Sequence, residues 1–243
     1  MQNPNSPYNQ NQPNPFDYSS GMVSVAQSSE SERVEFVRKT YLLFLAGILC
    51  CVMAGVATLH VPFLASTALA LLRIPLLAFF LIIGLSWGAQ AVSRIEGLNY
   101  AALFGFTAVI GWIFTPILAI YEYQQGGILA QAAGLTIIMF GALTAYVFIS
   151  KKDFSFLGGI LFVGLVGLVL GGLVNALFIH SPITSYLMAW FTLLLFSGYV
   201  LYDTSNIMRR YDTRSYCSAA LSLFLDFFNM FIAIVRILAG SRR

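Results

Sequence analysis

The chain has 243 residues, 58% of them hydrophobic and only 9% charged, with a formal net charge of +3 and a mean hydropathy of +0.80. A soluble domain carries about 25% charged residues, so this composition excludes one and sets most side chains against lipid or other helices. The basic residues are scattered and form no stripe, which excludes a nucleic-acid partner.

Residues 1–31 are rich in Asn, Gln, Pro and Ser and poor in large apolar side chains, a pattern that predicts a disordered cytoplasmic tail. They lack the basic start and early apolar stretch of a signal peptide. Residues 32–243 are expected to form one transmembrane domain. A helix needs about 20 apolar residues to cross the hydrocarbon core. Seven runs approach this length: 41–59, 75–92, 99–120, 128–149, 155–178, 183–202 and 217–239. The expected fold is therefore an all-α membrane protein with seven transmembrane helices. The stretch 61–73 is also apolar and reads as an interfacial or re-entrant helix.

An odd number of spans puts the termini on opposite sides. Nine basic residues fall on the amino-terminal side: Arg33, Arg38, Lys39, Arg94, Lys151, Lys152, Arg209, Arg210 and Arg214. Three fall on the other, Arg73, Arg242 and Arg243, so the positive-inside rule puts the amino terminus in the cytoplasm and the carboxyl terminus outside.

Within the first run Cys50 and Cys51 are adjacent, with Cys217 far off, which is neither a disulfide framework nor a zinc spacing. His60 and His180 fall in outer loops without partners at metal spacing. Pro116 sits inside the third run, where it frees a carbonyl and favours a bend. In the fifth, Gly164, Gly167 and Gly171 recur at helical spacing, with Asn175 continuing the row. Small residues so placed admit a close helix neighbour; the other reading is a thin-walled pathway with Asn175 lining its outer end.

The most informative residues are two aspartates. Asp203 ends the sixth run and Asp226 lies inside the seventh. A carboxylate at bilayer depth is costly and marks function by default. Asp226 is about 13 Å along the helix from Cys217, near mid-bilayer. It belongs to a row of Ser222, Asp226, Asn229 and Arg236, spaced by four, three and seven, which shares one helical face. Lipid cannot satisfy that row, so it is expected to face the bundle interior. Arg236 lies about 15 Å beyond Asp226, too far to pair with it. The second run offers Ser86, Gln90 and Arg94, spaced by four. Arg94 either snorkels to the headgroups or pairs with Asp203 and closes the inner mouth of a pathway.

Three readings of the aspartates stand. Each is satisfied separately and only orients helices; or they form a coupled pair that cannot easily ionise twice and acts as a pH-biased switch; or they activate water for peptide hydrolysis. The last fits poorly, because Asp226 follows Phe224-Leu225 instead of Gly-x-Gly, and no other catalytic pattern appears. An enzyme is not expected. In a pore such a pair attracts cations, and Ca²⁺ prefers carboxylate and carbonyl oxygens.

Three segments carry a family likeness: Leu201-Tyr-Asp-Thr-Ser-Asn-Ile207, Ala220-Leu-Ser-Leu-Phe-Leu-Asp-Phe-Phe-Asn-Met-Phe231 and Lys151-Lys-Asp-Phe-Ser-Phe156. With the ending Val235-Arg-Ile-Leu-Ala-Gly240, they make the chain from about Glu32 to Arg243 resemble the Bax inhibitor family of membrane proteins. The resemblance implies six helices around a central seventh. It implies a pH-sensitive passive calcium leak of the bacterial type, in a bacterial inner membrane, with no cofactor. It also implies that Asp203 and Asp226 form a hydrogen-bonded, pH-sensing pair, that both meet Ca²⁺ transiently, and that Arg94 latches Asp203. Relatives often carry several basic residues near that position, where this chain reads Ala91-Val-Ser-Arg-Ile-Glu-Gly97. Asn229, Ser222, Asn175 and Arg236 are then expected to line the route. Animal members oppose cell death and lower stored calcium. Some bacterial relatives instead restrain a membrane-anchored protease, so the alternative expectation is a protease modulator without transport.

Overall fold

The computed structural model describes residues 24–25, 27–93, 95 and 97–241. Eight α-helices follow in order: α1 (Glu30–His60), α2 (Pro62–Leu72), α3 (Pro75–Val92), α4 (Leu98–Gln124), α5 (Ile128–Ser150), α6 (Gly158–Val174), α7 (Pro182–Arg209) and α8 (Tyr216–Ser241). Every helical or strand element named among the described residues is helical. Six helical spans are long and apolar enough to cross a membrane, and α2 with α3 adds a seventh if that bent pair is one span.

Local chemistry sets the helix ends. Ser29 caps α1 in a reciprocal box: its hydroxyl accepts from the Glu32 N–H, and the Glu32 carboxylate accepts from the Ser29 N–H at 2.9 Å. At 31 residues α1 is about 46 Å long, so its first turns project beyond a hydrocarbon core of about 30 Å. Pro62, Pro75 and Pro182 occupy the first turns of α2, α3 and α7, where a missing N–H costs nothing. The break before Pro75 bends the chain by 105°. This explains the reading of 61–73 as a separate helix: the residue before a proline resists the α conformation, so α2 cannot run on into α3. The Glu122 carboxylate accepts from the N–H groups of Gly127 (2.6 Å) and Leu129 (3.0 Å) and so caps α5.

Close contacts fix the topology. Gly47 packs on Thr107 and Leu103, Gly111 on Cys51, and Gly55 on Thr115, so α1 and α4 run side by side in the same direction. The chain between them must return, and α2 with α3 makes that return. Lys39, Tyr100 and Tyr216 bring the starts of α1, α4 and α8 together: the ammonium stands 3.7 Å over the Tyr216 ring and the two phenols are 3.5 Å apart. We call this the basic end. At the far end Gln125 donates to the Ala239 carbonyl at 3.2 Å. The described amino- and carboxyl-terminal residues therefore lie at opposite ends of the bundle.

Helix α8 is the most buried span and packs on α1, α4, α5 and α7. Helix α6 is the most exposed span and packs on α7. The glycines earn their place there: a Cβ at Gly164 would meet Leu195, one at Gly171 would meet Met188, and one at Gly198 of α7 would meet Leu161. Gly167 has open space around it.

Two expectations need correction. The tail read as extending to residue 31 is structured at its end, because α1 starts at Glu30 and Val25 is fully buried; residues 1–23 lie outside the described residues. Arg236 is exposed instead of facing the interior. Ten residues past Asp226, it has turned about 80° round the helix axis and points outward, while Val235 and Ile237 beside it stay buried.

Candidate functional site

Helices α7 and α8 are antiparallel, joined by a short turn at the basic end, and this brings Asp203 opposite Asp226. Their carboxyl groups lie within hydrogen-bonding reach of one another. Asp226 is buried and Asp203 partly so. One oxygen of Asp226, Oδ2, is buried without a hydrogen-bond partner. Two carboxyls in contact, in apolar surroundings, cannot both carry charge at low cost, so the economical state holds one proton between them.

Polar groups extend from the pair toward the basic end. Ser222, one turn before Asp226 on α8, lies 3.2 Å from the Tyr211 hydroxyl. Gln90 of α3 donates to Ser222 at 3.5 Å and accepts from the Ser218 hydroxyl at 2.7 Å. Trp87, Gln90, Ala91 and Ser218 line a cavity of about 440 Å³ beside this string. Burial holds the Tyr211 phenol, in the α7–α8 turn, above its ordinary range, and the nearby Asp203 carboxylate adds to this. Tyr211 therefore remains an intact O–H. On another side the buried hydroxyls of Tyr41 (α1), Thr144 (α5) and Thr204 (α7) converge, none in good hydrogen-bond geometry.

Aromatic rings pack on α8 on both sides of Asp226. Phe44, Phe140 and Phe227 join α1, α5 and α8, with centroids 5.2 to 5.7 Å apart. Phe106 and Phe114 of α4 pack edge-on against Phe224 and Phe228. The interior is thus polar on the basic side of Asp226 and closed by rings beside it.

The other expected site residues fall in different places. Arg94 lies outside the described residues. Ser222 belongs to the polar string. Asn229 donates to the Leu225 carbonyl of its own helix at 2.8 Å. Asn175 is distant from the pair and ties the α6–α7 turn instead: its amide donates to Ser185 at 2.9 Å and its oxygen accepts from the Ser181 N–H at 3.2 Å. Arg236 contributes nothing to the cluster.

Sequence reasoning placed Gln90 in a polar row of the second run but did not foresee its contacts with Ser218 and Ser222 of α8, and it missed Tyr211. It also missed a clasp between the α5–α6 turn and the end of α7. There Asp153 meets Arg210 at 3.6 Å, Ser205 accepts from the Phe154 N–H at 3.0 Å, and Arg209 reaches the Lys151 carbonyl. The Ser155 N–H, then its hydroxyl, hold the Asp153 carboxyl below its ordinary range, with Arg210 helping. Among the described residues no three His, Cys, Asp or Glu side chains gather to hold a metal.

The chain is similar to Bax inhibitor 1 of Schizosaccharomyces pombe, 34% identical over 215 residues that cover 88% of this chain and 79% of the relative. A membrane protein of Vibrio cholerae is 31% identical over 217 residues, covering 88% and 92%. A shorter match, 37% identical over 141 residues, covers 58% of this chain and 64% of the Escherichia coli modulator of FtsH protease YccA. A sequence profile described as "Inhibitor of apoptosis-promoting Bax1" matches residues 33–243, and with these relatives it shows that this multi-pass membrane protein belongs to the Bax inhibitor family.

Proposed function

We propose that this protein is a pH-gated passive leak for calcium ions, with Asp203 and Asp226 as its gate. The observation that carries the reading is the contact between the two carboxyls on the antiparallel helices α7 and α8. With one shared proton, an O–H···O⁻ bond ties the helices together. Loss of that proton leaves two like charges in contact and pushes the helices apart; full protonation removes the charge that attracts a cation. Either change biases a two-state element. The polar string from Gln90 to Ser222 supports entry from the basic side, and the phenylalanine rings on both sides of Asp226 support closure at the level of the pair. Two carboxylates with a few hydroxyls are too few oxygens for a resident Ca²⁺, which takes 6–8; they suit an ion in transit. Arg94 is the proposed latch on Asp203. The excess of Lys and Arg at the basic end favours a cytoplasmic amino terminus in an inner membrane.

The test is calcium flux into liposomes holding purified protein and a calcium dye. Flux is expected to vary with pH, and Asp203→Asn or Asp226→Asn to flatten that dependence. Unchanged profiles in both variants remove the gate assignment.

A second reading is favoured by the likeness to the modulator of FtsH protease: the chain restrains a membrane-anchored protease and conducts nothing. Co-purification with a membrane protease, together with silent liposomes, supports that reading over the first.

A further inference from the structure

We propose that Ser24, Val25, Gln27 and Ser28 form a strap that holds Tyr211 against Ser222, making Tyr211 a positioning residue for the Asp203–Asp226 pair, so that the chain ahead of α1 tunes the gate. This rests on the pair acting as the proposed gate.

The strap is built as a specific element. Val25 is 0% exposed and joins the hydrophobic core. Its N–H donates to the Tyr211 carbonyl at 2.9 Å, and Ser24 forms a β-bridge with Asp212. The N–H groups of Gln27 and Ser28 donate to the Ser24 carbonyl, and the Ser28 hydroxyl to the Val25 carbonyl, which folds the segment into a turn. Phe36 of α1 supports the Tyr211 ring, with centroids 6.4 Å apart. An amphipathic or merely capping segment would not need a fully buried valine that bonds the backbone of a turn between two other helices. The strap also precedes the family-matched region, which begins at residue 33.

Tyr211 connects the strap to the pair. Its hydroxyl meets Ser222, which lies one turn from Asp226 on the same face of α8. Its titratable neighbours are Asp203 and Tyr202 of α7 and Asp226 of α8. The pair itself is also faced by Tyr199 of α7 and Tyr41 of α1. Helix α3 contributes the neutral Gln90 to the same string. If Val25 leaves its site, the Tyr211 backbone loses a hydrogen bond and its ring loses support, and the phenol no longer fixes Ser222, one turn from Asp226.

The experiment follows the infrared band of protonated aspartate against pH in purified full-length protein, a readout that needs no ion flux. Losing one well-placed hydrogen bond changes proton affinity about 3- to 10-fold, which is a midpoint shift of about half to one pH unit. Tyr211→Phe and Val25→Ala are each expected to move the midpoint by this amount, in the same direction. The double variant is expected to move it no further than either alone, because both act through one contact. Val25→Ile should restore the wild-type midpoint. A Val25→Ala midpoint equal to wild type, or effects that simply add, overturns the strap while leaving the gate intact. Removing residues 1–28 gives the same answer if Val25→Ala fails to fold. A wild-type protein without any aspartate titration overturns the gate reading and the strap with it.

Discussion

Gly111 of α4 lies so close to α1 that a Cβ at this position would overlap the carbonyl oxygen of Cys51. The two helices are held by backbone surfaces, with Gly47, Gly55 and Gly111 along the contact. Small residues at such a seam maximise packing where no hydrophobic drive operates between helices in lipid.

Gly111→Ala should therefore force α1 and α4 apart at a cost of about 3 kcal/mol, the upper range for overpacking. Gly134→Ala, at a site with nothing within 4 Å, should be neutral. Thermal unfolding in detergent compares the two. Equal stabilities would show that the seam is not tight.

Asp226→Asn keeps a group that can hydrogen-bond Asp203, so it should fold with little loss. Asp226→Ala leaves Asp203 beside an unfilled site and should cost about 1–3 kcal/mol, the range for an unsatisfied buried polar group. Unfolding midpoints in the order wild type, Asn, Ala are expected. An alanine variant as stable as the asparagine variant would mean that the carboxyls do not depend on one another.

The Asp153 clasp should show its own pH dependence. Folding lowers the affinity of this carboxyl for its proton, through the Ser155 N–H and hydroxyl and then Arg210. Its contribution is thus complete above its unfolded value of about 4 and lost as pH falls below that. The stability difference between wild type and Asp153→Ala is expected to be present at neutral pH and to vanish in acid. A difference that persists unchanged in acid would contradict the assignment.

Gln90 and Ser218 are in contact, so cysteines at these positions, in a chain with Cys50, Cys51 and Cys217 replaced, should join readily through a short bifunctional thiol reagent. The cross-link pins α3 to α8 and is expected to suppress flux in the liposome assay. Normal flux through fully cross-linked protein would show that the polar string is not the entry.

The parallel course of α1 and α4 makes a labelling prediction. Cysteines placed at His60 and at Leu98, which flank α2 and α3, should be modified by impermeant reagents from opposite sides of sealed vesicles. Labelling of both from one side would exclude the return crossing by α2 and α3.

Much of this was legible in the sequence. Each of the seven apolar runs coincides with a helix, although α1 starts eleven residues before its run and the run 155–178 outlasts α6 at both ends; hydrocarbon thickness dictates both length and composition. The aspartates stood out because charge is scarce in such runs. What was not legible depends on lateral placement. Periodicity put Arg236 in the row of Asp226, yet over ten residues such a row drifts about 80° round the helix and leaves the covered side. The row of Ser86, Gln90 and Arg94 could be seen, but not that Gln90 meets Ser218 and Ser222, because the row does not say which helix α3 touches. Val25 lies in a segment too polar to suggest a core residue, and only its docking on the Tyr211 turn buries it. Arg210 and Asp153 are far apart in sequence and meet through turns that carry no periodic signal.

The seam between α1 and α4 also constrains biogenesis. During synthesis α1 enters the translocon long before α4 leaves the ribosome, so Gly47 and Gly55 wait without their partner while α2 and α3 are inserted. The face of α1 that carries Gly47 and Gly55 therefore faces lipid or other chain until α4 arrives, and the seam closes only after the return crossing is in place.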